Sequence, residues 1–341
     1  MKKGYFRSST TRLAIGTAVA VMPLGSAIAA EEPEEVVITG SRIARASDFE
    51  SPSPVITVTH EAIEKSGYSN LQQLMERIPV NGNGAFSTRG NNQDSTANGA
   101  ASISLRGLGA DATLVLVNGR RVAVSAFAES VTTNFVDINS IPVAAIERVE
   151  VLKDGSDAVA GVINIVLRKD FTGFEASAGY GSVTSGPYDE RTASAIWGSG
   201  DDDSNVTVIF DYFKNTTLFN VDRGPAGSAN QTARGGEDFR SSRGYPGRFI
   251  VDGTTRRDPA CPAANIAGET CVYDFGVWNL LIPEAERTGL MLLAHQDFGP
   301  GMQVFTEIAA QHNTSIAQGA PAAGRHTGAA AVHQHQLRQH G

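Results

Sequence analysis

Hydrophobic and polar positions change period several times along the chain. Val55-Ile56-Thr57-Val58 is a β-branched run that predicts a strand. Thr59 stands where it can cap a helix through Glu61, Ile63 and Glu64, which Gly67 stops. Ser69 or Asn70 opens a second helix with Leu71, Leu74, Met75 and Ile78 on one face, ended by Pro79. Residues 81–100 hold almost no apolar side chain, a polar loop of the length that usually carries function. Thr113 to Val117 and Arg120 to Val124 read as strands joined by Asn118-Gly119, a strong hairpin signal. A second polar loop spans Ser125 to Asn134, and Ile141-Pro142 opens a short helix. Ile146 to Leu152 alternates with period two, and Val162 to Leu167 is a continuous apolar run, as in a buried strand. Residues 52–168 therefore predict one α+β domain long enough for its own core.

Beyond this the alternation lengthens. Phe174, Ala176, Ala178 and Tyr180 alternate with small or polar residues, as do Ala193, Ala195 and Trp197, then Val206, Val208, Phe210 and Tyr212. Thr288 to Phe298 and Met302 to His312 form another pair around Gly299-Pro300-Gly301. Ten-residue alternating segments with aromatics near their ends fit transmembrane β-strands, and a soluble β-sandwich alternates in the same way. Residues 215–287 are rich in Gly, Arg, Asp and Pro and predict a long loop region.

The N-terminus adds a compartment. Lys2, Lys3, Arg7 and Arg12 precede the short apolar run Leu13 to Leu24, and Ala27-Ile28-Ala29 offers a small-x-small cleavage pattern. Residues 1–29 read as a secretory signal peptide, so the mature chain is expected to begin near Ala30. That start would carry EEPEEVVITG, a glutamate-rich leash and a β-prone stub with no nearby partner strand. No later stretch approaches eighteen consecutive apolar residues, so no helical anchor is predicted. The formal charge of −8 and the lack of a basic cluster disfavour nucleic acid.

Candidate chemistry is sparse. The two cysteines, Cys261 and Cys271, lack companion histidines at zinc spacing. In an exported chain they are expected to form a disulfide worth roughly 2–3 kcal/mol. RGLGADA matches G-x-G-x-x-A, yet a strand follows it where a dinucleotide site needs a helix, so Gly107 and Gly109 fit a tight turn better. Four of the seven histidines (His326, His333, His335, His340) crowd the tail, an unspecific metal-binding signal. No residues assemble into a catalytic constellation, and no enzyme, cofactor or metal is expected.

The order of EEVVITGSRI, SISLRGLGADATLVLVNGRRV, IPVAAIERVEVLKDG and SDAVAGVINIVLRKD resembles the N-terminal part of TonB-dependent outer-membrane receptors. The resemblance implies an α+β plug domain followed by antiparallel transmembrane β-barrel strands, within a family whose barrels have about 22 strands. It divides the chain into a signal peptide (1–29), a TonB-box segment and linker (30–51), the plug (52–168), and the start of a barrel with a long loop (169–316). A low-complexity tail (317–341) follows. Val36, Val37, Ile38, Thr39 and Gly40 lie where the TonB box should be, a strand offered to the energy-transducing TonB-type partner. Phe86, Arg89, Asn91, Asn92, Gln93 and Phe127 lie in loops that resemble the ligand-facing apical loops. Arg106 and Arg148 resemble plug arginines that latch onto barrel glutamates, with local pairing of Arg148 to Glu147 or Glu150 as the alternative.

Two departures from the family stand out. Asp154-Gly155 runs straight into Ser156-Asp157-Ala158, as though about six residues of the usual pattern were missing (a turn tight enough to affect register). About half the chain follows residue 172, enough for five strands, and the alternation ends near Ala317, as at a shifted reading frame or a fragment end. The expected function is energy-coupled uptake of a scarce small ligand, such as an iron chelate, at the outer membrane, the chain being an incomplete form. The alternatives are a periplasmic plug-only module that binds the TonB partner without transport, or a non-functional remnant.

Overall fold

The computed structural model describes residues 55–82, 85–88, 99–126, 128, 133–153, 159–201, 203–244, 246–299 and 301–320. The expected signal peptide, the Val36–Gly40 stub, the shortened 154–158 turn and the tail from residue 321 lie outside them.

Strand β1 (Val55–Thr59) leads directly into helix α1 (His60–Ser66). The Thr59 hydroxyl accepts from the Ala62 amide, and Gly67 closes the helix in the left-handed region at φ 68°, its amide donating to Glu64 O. Asn70, rather than Ser69, caps α2 (Leu71–Met75), which buries Leu71, Leu74 and Met75. Next come β2 (Thr113–Val117) and β3 (Arg120–Arg121), joined by Asn118 (φ 49°) and Gly119 (φ 75°). Two positive φ values fit the turn that matches strand twist in a hairpin. β3 is shorter than the pattern suggests, because the chain leaves the edge after Arg121 and Ser125 N bonds Phe135 O instead.

Strands β4 (Ile146–Leu152) and β5 (Gly161–Leu167) complete a sheet ordered β1-β4-β5-β2-β3. β5 is parallel to β2 and antiparallel to β4. It is buried along nearly its whole length, which its unbroken apolar run anticipates. An irregularity between Ile146 and Arg148 shifts the register of β4 against β5. That bulge lets Ile146, Val149 and Val151 all reach the core, although strict alternation would put Ile146 on the other face from Val149 and Val151.

A second, wholly antiparallel sheet follows. It comprises β6 (Gly173–Ser182), β7 (Asp189–Gly200) and β8 (Ser204–Asn215). An excursion then carries three short pairs: β9 (Leu218–Phe219) with β14 (Leu280–Ile282), β10 (Arg248–Val251) with β11 (Thr254–Arg257), and β12 (Ile266–Ala267) with β13 (Thr270–Cys271). Cys261 is joined to Cys271 within it (S–S 2.05 Å). The chain returns in β15 (Glu284–Asp297) and β16 (Gln303–Ile316), giving the order β16-β15-β8-β7-β6. No closed barrel forms among the described residues. No described helix is long and apolar enough to cross a membrane.

The two faces of this sheet differ in kind. On the inner face Ile196, Ile209, Met291 and Leu293 belong to the same buried cluster as the first domain's Ile63, Val149 and Ile165, so the two bodies share one core. On the outer face Phe174, Trp197, Phe210, Leu290 and Ile308 are all exposed. Phe174 sits directly opposite Trp197 near one rim, and Tyr180 and Tyr212 lie toward the other. Six residues separate Phe174 from Tyr180, a rise of about 20 Å at ~3.4 Å per residue. An apolar face between aromatic rims fits a lipid-facing surface, whereas a sandwich would cover it with a second sheet.

Candidate functional site

Where the first domain meets the sheet, polar groups surround the shared core. Arg120 on β3 places Nη1 2.9 Å from Glu307 Oε1 on β16, and its guanidinium lies 3.7 Å over the Phe305 ring. Asn118 Nδ2 donates to the same carboxylate at 2.8 Å, while Asn118 Oδ1 accepts from Leu167 N at 2.8 Å. The hairpin turn thereby ties the end of β5 to the wall. A second bridge runs from Ser69 Oγ to Glu190 Oε1 (2.6 Å), with the Tyr188 hydroxyl on the other oxygen (3.0 Å).

The most buried contact is Arg287 of β15, only 4% exposed. Its Nη2 donates to Gly99 O at 3.3 Å, and its guanidinium lies 4.8 Å from the Phe213 ring centroid. Nearby, Asp137 Oδ1 accepts from Ala101 N and Asn139 N, each at 3.0 Å. Burial pushes the Asp137 carboxyl above its ordinary value, and the two amides and the Arg287 charge offset this in part. A Cβ on Gly99, which has φ 83°, would stand 2.6 Å from Ser315 Cβ, so the C-terminal end of the 81–100 loop is pressed against the end of β16. Gln311 Nε2 adds a 3.3 Å bond to Asn139 O.

These contacts place the C-terminal end of the loop. Gly99 meets the sheet at the rim where the long excursion leaves β8 and re-enters β15; the turns at 201–203 and 298–302 are at the opposite rim. Phe86 lies on the loop's near end, half-buried, its ring edge-on to Phe135 at 4.3 Å, and its backbone pairs with Ser102 (2.9 Å). It borders a cleft of about 220 Å³ with Gln72, Glu76, Asn81 and Ser87. Arg89, Asn91, Asn92, Gln93 and Phe127 lie outside the described residues.

The two arginines expected to latch the domains are placed differently. Arg148 bonds Glu150 Oε1 (2.8 Å) on its own strand, and Asn164 satisfies the other oxygen (2.9 Å), so a 2% exposed carboxylate is paired within the domain. Residues two apart on a strand share a face, which makes the local pairing the shorter reach. Arg106 is exposed on a turn, at φ 56°, followed by Gly107 and Gly109 at φ 70° and 104°. Arg120 and Glu307 form a domain-to-wall ion pair that the sequence did not single out, and Arg287 reaches in the reverse sense, from wall to domain. Arg287 was readable as a charge at an inward position of an alternating strand, but its partners lie far away in sequence.

Residues 47–165 match the family model of the TonB-dependent Receptor Plug Domain. Among solved structures, the ferric enterobactin receptor (PfeA) of Pseudomonas aeruginosa is similar at 17% identity and a TM-score of 0.50, the match covering 78% of this chain and 34% of that one. The siderophore receptor PirA of Acinetobacter baumannii is similar at 17% identity and a TM-score of 0.46, over 77% of this chain and 32% of that one. The chain thus spans about a third of the length of the receptors it matches. Plug at the front, antiparallel membrane-type sheet behind it, and a polar seam between them define the class: residues 47–165 are a TonB-dependent receptor plug domain, and the sheet that follows has the fold of the first strands of a receptor barrel.

Proposed function

We propose that this chain serves energy-coupled uptake of a scarce small ligand, such as an iron chelate, across the outer membrane, to which a cleaved signal peptide (1–29) directs it. The observation that carries the reading is the position of β1. Among the described residues it is an edge strand paired with β4 alone, with Val55 as its first residue, and it follows the Val36–Gly40 stub in sequence within one short linker. A TonB-type partner that pairs with Val36, Val37, Ile38, Thr39 and Gly40 would therefore load β1 first. The seam of separate polar contacts beyond it suits a plug that must yield under load.

Ligand capture belongs to the excursion rim in this reading. Phe86, with Arg89, Asn91, Asn92, Gln93 and Phe127, would meet the ligand beneath the excursion, and Arg287 would hold the base of that loop. No bond in the ligand is made or broken, so the chain acts as a transporter rather than an enzyme. Domain limits of 30–51 for the handle, 52–168 for the plug and 169–316 for the sheet are part of the proposal.

The test is partner binding to the 341-residue chain. A proline at Ile38 removes one ladder donor and fixes φ. Ile38→Pro is expected to weaken binding of the periplasmic domain of a TonB-type protein at least tenfold, with the fold unchanged by circular dichroism. Equal affinity of the two forms would overturn the assignment of the handle.

A further inference from the structure

α1 and β6 meet at one corner of the plug, and three side chains with metal-binding atoms converge there. His60 Nε2 lies 3.9 Å from Glu64 Oε1, one helical turn on. Glu175, on β6, reaches the same spot, so that one ligand atom from each residue lies within 4.8 Å of the other two. All three line a cleft of about 150 Å³ between α1 and the β6–β7 pair.

The histidine is already oriented. Its Nδ1 stands 2.8 Å from Ile146 O, outside the cluster. A carbonyl can only accept, so Nδ1 carries the hydrogen, and in the neutral ring Nε2 turns its lone pair to the side of the two carboxylates. Metal-ligating histidines are usually held by this kind of bond from the second ring nitrogen. Glu175 is itself held by Arg168 (Nη2 to Oε2, 2.9 Å; Nη1 to Oε1, 3.4 Å). A carboxylate has about four lone-pair directions, so the arginine fixes it without filling it.

The geometry points to a divalent-cation site, of the zinc type, formed by His60 Nε2 and one oxygen each from Glu64 and Glu175, with water completing the shell. One imidazole and two carboxylates are a donor set zinc accepts. Tetrahedral bonds of about 2.0–2.2 Å place ligand atoms about 3.4 Å apart. Spacings of 3.9 Å and at most 4.8 Å therefore close by about 0.5 to 1.4 Å on loading, a shift that side-chain rotation at the two glutamates can supply, Glu64 being 44% exposed. The ion joins the first helix of the plug to the first strand of the wall, next to β1. It would staple the element on which an N-terminal pull acts, so that cation level sets the resistance of the plug. The site itself does not depend on the uptake reading.

Hydrogen exchange on the folded 341-residue chain in detergent micelles tests it, with zinc chloride as the probe. Zinc is expected to slow exchange at least fivefold in both peptides 60–66 and 173–182, saturating at a single affinity. His60→Gln and Glu175→Gln should each abolish the effect in both peptides, and Glu64→Gln should weaken it. Confining the readout to these peptides separates the site from zinc bound by the tail histidines. Absence of slowing, slowing in one peptide only, or slowing that survives His60→Gln and Glu175→Gln overturns the site and leaves His60 and Glu64 as an ordinary helical pair.

Discussion

Arg287 and Arg120 are both cations set between plug and sheet, and burial separates what each contributes. Arg120 and Glu307 keep 46% and 32% of their side-chain surface in solvent, so water screens the pair and its net worth is about 0–1 kcal/mol. Arg287 is almost fully enclosed, beside Asp137 and Asp211, and has exchanged its hydration for fixed partners. Removing it leaves those carboxylates without a countercharge at a cost of about 2–3 kcal/mol. Urea unfolding followed by the fluorescence of Trp197 and Trp278 is therefore expected to show a loss of that size for Arg287→Met and less than 1 kcal/mol for Glu307→Gln. Equal losses would mean that burial does not govern the seam. These residues also mark the limit of what the sequence tells. Arg120 follows a legible hairpin turn, but only the fold brings Glu307 beneath it. The same distance hid Glu175 from His60 and Glu64, whose i, i+4 spacing was plain.

Asp137 shows how one side chain can join elements. It caps the short turn Ile138–Ser140 and also bonds Ala101 N, holding the segment after the first loop against the segment after the second. Its carboxyl titrates above the ordinary 3.8, chiefly because burial disfavours the charged form. A raised folded value means that the native chain holds a proton the unfolded chain has already released. Stability from this group is thus present below 3.8 and declines as pH rises through the folded value. Asp137→Asn, which keeps an acceptor oxygen but cannot ionise, is expected to flatten the fall in urea midpoint from acid to neutral pH. A steeper fall in the variant would reverse the assignment. Among the elements, β1, α1, α2, β2, β4 and β5 were legible because caps, turn residues and apolar runs agree locally. The length of β3 and the bulge in β4 were not, since edge pairing and core packing, rather than local pattern, decide them.

At the scale of the molecule, period-two alternation predicted five long strands at the right places, but could not say which face meets lipid. The plug decides that. By filling the inner face with Ile63, Val149 and their neighbours, it leaves the Phe174–Trp197 side as the face over which none of the described residues folds. Lipid contact of that face is the central claim, and tryptophan quenching by brominated acyl chains tests it most directly. Trp197 lies on the outer face and Trp278 in the excursion, so Trp278→Phe and Trp197→Phe isolate one reporter each. In bilayers reconstituted with the full chain, Trp197 should be strongly quenched by bromines in the acyl region and Trp278 scarcely at all. Quenching of neither, or of both alike, would contradict a plug seated against a membrane-spanning sheet.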